Sequence, residues 1–149
     1  MSKPKILIVD DIEDYLQSLQ RSLERDFEVL TATSIDEAKK KITKELELLL
    51  LDIRLDESDP SNRDGLLLLE WSKMNFPEIP VVMMSVYREF DLAVDSLNLG
   101  ASYFLRKPIN VSELKALLNT FIEKGRLARE NVQLKEKLRQ YETGSKSES

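Results

Sequence analysis

Short apolar runs punctuate the chain at Ile6–Val9, Val29–Ala32, Leu48–Leu51, Val81–Met84 and Tyr103–Leu105. Between them, apolar residues recur at helical spacing. Tyr15, Leu16, Leu19 and Leu23 form one stripe. Ile35, Ala38 and Ile42 form the next, opened by Ser34 with Glu37 three residues on, the pattern of a capping box. Leu66 and Leu69 lead to Trp71 in a third. Phe90, Ala93, Val94 and Leu97 form a fourth, which Gly100 should stop. Leu114, Leu117, Leu118 and Phe121 form a fifth, with Asn110 and Glu113 in cap positions.

Strand and helix thus alternate through five β-α units, which predicts an α/β fold with a five-stranded parallel sheet and helices on both faces. The central strands of such a sheet are buried on both sides and should be apolar throughout, as "ILIV", "LLLL" and "VVMM" are. Buried helices would need longer runs.

One run raises a question. "LELLLLDIR", residues 46–54, ends its leucines in Asp52, and a carboxylate in a buried strand is costly unless something cationic meets it. In an open parallel sheet, ligands bind beyond the carboxyl ends of the strands, at the switch in strand order. The predicted strands end in Asp10 and Asp11, in Asp52, in Ser85, and in Arg106 and Lys107 followed by Pro108. With the first and third strands adjacent, three carboxylates, a hydroxyl and an amine share one crevice. Like charges so close raise one another's pKa unless a cation intervenes, and a hard oxygen-ligated ion, Mg²⁺ above all, would serve. An Asp beside such an ion and a lysine is a plausible nucleophile toward phosphorus, with Ser85 placed to hydrogen-bond a phosphoryl oxygen. Taken singly, each residue has a plainer role: a turn, a cap, or a helix N-terminus complementing its dipole.

Composition narrows the chemistry. The 149 residues are 42% hydrophobic and 33% charged, with a net charge of −5. That suits one acidic domain with an appendage and argues against direct nucleic-acid binding. Absence of Cys excludes disulfides and thiolate sites, and absence of His removes the commonest general base. The apolar run after the N-terminus is too short for a signal peptide, no stretch suits a membrane span, and a cytoplasmic location is expected.

The pieces "ILIVDD", "LLLLDIRL", "DGLLLLEW", "VVMMS" and "GASYFLRKPI" resemble, in order, the receiver domain of two-component response regulators, over about residues 4–124. The resemblance implies a flavodoxin-like strand order, 2-1-3-4-5. It implies that Asp52 accepts a phosphoryl group from a sensor histidine kinase, with Mg²⁺ held by Asp10, Asp11, Asp52 and the backbone carbonyl of Arg54. Lys107 would meet the phosphoryl group, before a cis bond to Pro108. Ser85 and Phe104 fill the switch hydroxyl and aromatic positions. No separate enzymatic activity is expected beyond self-phosphorylation and autodephosphorylation.

Departures from the family pattern stand out at Val86, where a smaller residue is usual, with Arg54 and Tyr87 also flanking the site. A bulky group there is expected to slow autodephosphorylation. The loop "DIRLDESDPSNRDG" is longer than usual, and its acids Asp56, Glu57 and Asp59 are expected to be solvated, a kinase contact being the alternative.

After the fifth helix, Leu127, Asn131, Leu134, Leu138 and Tyr141 step by four and three, a short d-a-d-a-d seam for a parallel homodimer. In that register Glu130 faces Lys135 of the partner, and Lys137 faces Glu142. The competing reading is a solvated helix. The expected division is a receiver domain over 1–124, a helical or coiled-coil linker over 125–142 and a disordered tail over 143–149, with Gly125 weakening the junction or serving as a hinge. The linker is similar to that of nitrogen-regulator-type activators, whose output domain has no counterpart here: no G-x-x-x-x-G-K-[ST] loop occurs.

Two other functions compete. An Asp-nucleophile phosphatase usually carries a second Asp two residues on, where this chain has Arg54. A phosphorylation-independent interaction and dimerisation module would not need all of Asp10, Asp11, Asp52, Ser85 and Lys107.

Overall fold

The structure is a computed structural model describing residues 3–56, 58–86 and 90–147, with residues 90 and 143–147 described by their backbone alone. The strands are β1 (Lys5–Val9), β2 (Glu28–Ala32), β3 (Leu48–Asp52), β4 (Val81–Ser85) and β5 (Tyr103–Arg106). The helices are α1 (Glu13–Leu23), α2 (Ile35–Lys41), α3 (Asp64–Asn75), α4 (Phe90–Asn98) and α5 (Val111–Ser147). The strands lie in the order β2-β1-β3-β4-β5, every pair parallel. Each expected run is a strand, extended by a residue at one end or the other.

Alternation along the strands divides the core. Ile6, Ile8, Leu48, Leu50, Val82 and Met84 face α1 and α5, against Leu16, Leu19, Leu23, Leu114, Leu118 and Ile122. Leu7, Val9, Leu49, Leu51, Val81 and Met83 face the other way, against Ala38, Leu68, Leu69 and Leu92 of α2, α3 and α4. The three central strands are buried from β1's second residue onward, which is why their sequences do not alternate.

Local signals hold with adjustments. Ser34 Oγ accepts from the Glu37 N–H at 3.2 Å, but the Glu37 carboxylate reaches back to the N–H and hydroxyl of Thr33 rather than to Ser34. Asn110 Oδ1 accepts from the Glu113 N–H at 3.1 Å. At the end of α4, Gly100 has φ 105°. Its N–H bonds the Leu97 carbonyl at 3.1 Å, and that of Ala101 bonds Ser96 at 2.9 Å, the two bonds of a Schellman motif.

Gly65 positions α3. A Cβ there would overlap the Asp52 carbonyl oxygen and stand 2.6 Å from Ile53 Cα, so only glycine lets α3 start directly on the end of β3.

The C-terminal region departs from expectation. The helix α5 runs 37 residues, through Gly125 and on to Ser147, where a hinge at Gly125 and a disordered tail over 143–149 are expected from sequence; residues 148 and 149 lie outside the described residues. Extending a formed helix adds one hydrogen bond per residue fixed, whereas starting one is costly. Gly125 has a packing role: a Cβ there would lie 3.3 Å from Pro80 Cδ. The next residue, Arg126, forks onto Glu47 at 2.7 and 3.1 Å, and one turn on Arg129 donates to the Leu46 carbonyl at 3.1 Å. The domain therefore grips α5 as far as Arg129, beyond the expected boundary at 124.

Candidate functional site

At the C-terminal ends of β1 and β3, the strands pass from apolar residues straight into carboxylates. Asp10 and Asp52 are buried beside their strands, and Asp11 is half-buried. One oxygen from each lies within 4.8 Å of the others. Asp10 has a local duty too, its Oδ1 accepting the Ile12 N–H at 2.9 Å where the chain turns into α1. Asp52 Oδ1 accepts the Arg54 N–H at 3.3 Å.

Lys107 arrives from the end of β5. Its N–H bonds the Ser85 carbonyl at 2.9 Å, holding the chain against the end of β4 before the cis bond to Pro108. Its Nζ donates to Asp10 Oδ2 at 2.6 Å and to Asp52 Oδ2 at 3.0 Å, in ion pairs that are nearly dry. Ser85, at the end of β4, is buried.

Burial and the neighbouring charges act together on the protonation of this site. Burial pushes the Asp52 carboxyl up; the Lys107 charge opposes this, Asp10 adds to it, and the balance lies at about 7. For Lys107, burial favours the neutral amine, but Asp52 and Asp10 outweigh it and hold the pKa above its ordinary value. Three carboxylates face one ammonium, so the crevice carries surplus negative charge in a dry place.

That donor set fits Mg²⁺. The oxygens are hard, they converge, and the reluctance of Asp52 to ionise is what a cation would relieve.

The structure brings together Asp10, Asp11, Asp52, Ser85 and Lys107. Phe104 is half-buried on β5, packed with the core beside Met83. Val86 follows Ser85 with 47% of its surface exposed. Tyr87 and Glu57 lie outside the described residues. Arg54, expected beside the site, has a buried side chain. Asp56 and Asp59 are exposed as expected, and they also shape their loop, accepting from Ser58 and Ser61.

Tyr15 was placed by pattern in the core stripe of α1. It does pack there, but its ring also lies under the Lys107 ammonium, 4.3 Å from centroid to Nζ. The signal was available: Tyr15 lies in the first turn of α1, which follows directly on Asp10 and Asp11.

A flavodoxin-like α/β domain with an acidic, lysine-bridged crevice at its strand ends is the class these features define. Residues 6–119 match the response regulator receiver domain, and the chain belongs to that family. It is 34% identical to response regulator protein PilR of Pseudomonas aeruginosa over 122 residues, 80% of this chain and 26% of that protein. It is 37% identical to the nitrogen assimilation regulatory protein NtrX of Azorhizobium caulinodans over 133 residues, 88% of this chain and 29% of that protein. A CheY-like receiver domain protein from Methanospirillum hungatei superposes with a TM-score of 0.75 at 32% identity, over 85% of this chain and 99% of that one. The chain thus spans under a third of the length of these curated relatives. Among the described residues, no helix is long and apolar enough to cross a membrane.

Proposed function

We propose that this domain is a phosphoacceptor switch in which Asp52 takes a phosphoryl group from a phosphohistidine of a sensor kinase. The observation that carries this reading is Asp52 itself, a buried carboxylate bridged by Lys107 within a cluster of two more carboxylates. An Asp52 oxygen attacks phosphorus, the P–N bond breaks, and the imidazole leaves. The Lys107 ammonium, already in place, donates to a phosphoryl oxygen, and Ser85 donates its hydroxyl to another. Asp10, Asp11, Asp52 and the Arg54 carbonyl would hold Mg²⁺, which supplies neutralising charge to the transferring oxygens.

Reorientation of Ser85 toward the phosphoryl group leaves room for Phe104 to turn inward, which alters the face formed by α4, β5 and α5. This is a local charge biasing a two-state element. Val86 narrows the approach of water beside Ser85, so the phosphoform is long-lived; a fast-decaying phosphoform sinks that idea. The setting is cytoplasmic.

The second half of α5 is the parallel homodimer seam. Leu127, Leu134, Leu138 and Tyr141 are each more than half exposed. In the same register Arg126 and Arg129, which grip the domain, fall at c and f, on the side away from the seam, so the domain does not block a partner helix. A sedimentation series over protein concentration tests the dimer, and a monomer throughout overturns it.

The phosphoacceptor reading is tested by intact mass after incubation with acetyl phosphate, with and without Mg²⁺, on wild type and Asp52→Ala. One Mg²⁺-dependent adduct, absent from the variant, is expected. An adduct that persists in Asp52→Ala overturns the assignment. If wild type stays unmodified, Val86→Ala is the second arm; an adduct there means Val86 blocks small donors, and none overturns the phosphoacceptor reading.

A further inference from the structure

Lys107 presents three N–H donors. Two go to Asp10 and Asp52. The Tyr15 ring lies against the same ammonium, with Nζ 4.3 Å from its centroid, well inside the range of a cation–π contact. An ammonium so placed is held on three sides by groups from β1, β3 and α1. The Tyr15 hydroxyl oxygen, by contrast, is buried with no hydrogen-bond partner among the described residues. The ring has a use in this site that the hydroxyl does not.

We propose that Tyr15 is a positioning residue of phosphoryl transfer, its ring fixing the Lys107 ammonium where an incoming phosphoryl oxygen will meet it. Without the ring, Lys107 keeps its charge but gains freedom to turn away from Asp52 and to take water on its open side. Pre-placed charge stabilises a transition state without reorganisation, and a loosened charge does so less well. The inference rests on Asp52 being the phosphoacceptor.

Two experiments separate the inference from that reading. The first needs neither metal nor phosphate. Aromatic ¹H–¹³C spectra of the full chain are compared for wild type and Lys107→Met, with the Tyr15 resonances assigned by their loss in Tyr15→Phe. Loss of the ammonium should move the Tyr15 ring signals more than those of Tyr103 or Tyr141. Unmoved Tyr15 signals overturn the proposal whether or not Asp52 is phosphorylated.

The second follows the initial rate of labelling by acetyl phosphate with Mg²⁺. Tyr15→Leu is expected to lose about three- to tenfold, the range of a partly desolvated cation–π contact. Tyr15→Phe keeps the ring and drops only an unpartnered hydroxyl, so it restores the rate and folds at least as well. On a Lys107→Met background, Tyr15→Leu should cost nothing further, because the two act together. A purely structural role predicts the same loss on both backgrounds, and that result overturns the proposal. So does Tyr15→Phe falling as far as Tyr15→Leu, or Tyr15→Leu matching wild type. If Tyr15→Leu does not fold, the Lys107→Met spectra decide. Wild type and Val86→Ala that both take no label, with Tyr15 signals that do move, would fail the Asp52 reading alone.

Discussion

The two rims of the sheet carry the same kinds of parts and use them differently. At the C-terminal rim, Lys107 bridges Asp10 and Asp52 in a dry crevice, with Asp11 close by. At the N-terminal rim, Arg126 forks onto Glu47 with the arginine side chain 47% exposed. Each rim also has a glycine where two elements touch, Gly65 under α3 and Gly125 on α5. The difference lies in charge balance and water. The Arg126–Glu47 pair is neutral and wet, so its job is to set the direction of α5. The Lys107 cluster is unbalanced and dry, so it stores a cost that a cation can relieve.

The largest effect should come from Gly65→Ala. The new methyl would overlap backbone of Asp52 and Ile53 rather than the end of a flexible side chain. A loss of about 3 kcal/mol is expected in urea unfolding, together with weaker Mg²⁺ binding as the end of β3 moves. A variant as stable as wild type would mean that α3 can lift from β3 freely.

Next comes Asp52→Asn, read against pH in metal-free protein. The native carboxyl holds its proton to about pH 7, well above the ordinary aspartate value of 3.8. Between those limits the unfolded chain has released a proton that the native chain retains, so this group's contribution to stability falls as pH rises. Asparagine removes that cost. At pH 8 the variant should be more stable than wild type by about 2 kcal/mol, and at pH 4 no more stable. Mg²⁺ should close the gap at pH 8. Equal stability at both pH values would show that Lys107 already compensates the buried charge in full.

The C-terminal rim could be read from sequence because each of its parts breaks a pattern. Asp52 ends a leucine run, Asp10 and Asp11 end "ILIV", and a lysine precedes a proline after the last strand. A charged residue where burial is expected needs an explanation, and the sequence contains one. Tyr15 broke no pattern. It satisfies the apolar stripe of α1, so its second contact with Lys107 was hidden behind its first with the core. The N-terminal rim was hidden for a related reason. Glu47 and Arg126 are 79 residues apart and unremarkable on any helix or loop surface. Gly125 looked like a break in a helix because propensity is local, while its neighbour Pro80 comes from a distant turn.

Glu47→Gln measures the wet rim. With the pair this exposed, its loss should lower the free energy of unfolding in urea by no more than about 0.5 kcal/mol, and 0.5–1 M salt should erase even that. A loss several times larger would mean the fork is holding α5 onto the domain rather than trimming its angle. Arg129, still bonded to the Leu46 carbonyl, is the reason to expect the smaller figure.

The smallest effect is also the most informative about the comparison, because the same substitution should change sign between rims. At Gly125, alanine gains up to about 1 kcal/mol of helix propensity in the middle of α5. Against that stands one contact at 3.3 Å with Pro80 Cδ, and 3.6 Å to both Pro80 Cγ and the Glu78 carbonyl. A proline ring can pucker by the few tenths of an ångström required, whereas the backbone facing Gly65 cannot. Gly125→Ala should therefore stabilise the protein by about 0.5 kcal/mol in urea unfolding. A loss of more than about 1 kcal/mol would mean that α5 is pressed onto Pro80 as tightly as α3 is onto β3. The N-terminal rim would then be a rigid coupling between the domain and its helical extension, and the contrast between the rims would rest on charge alone.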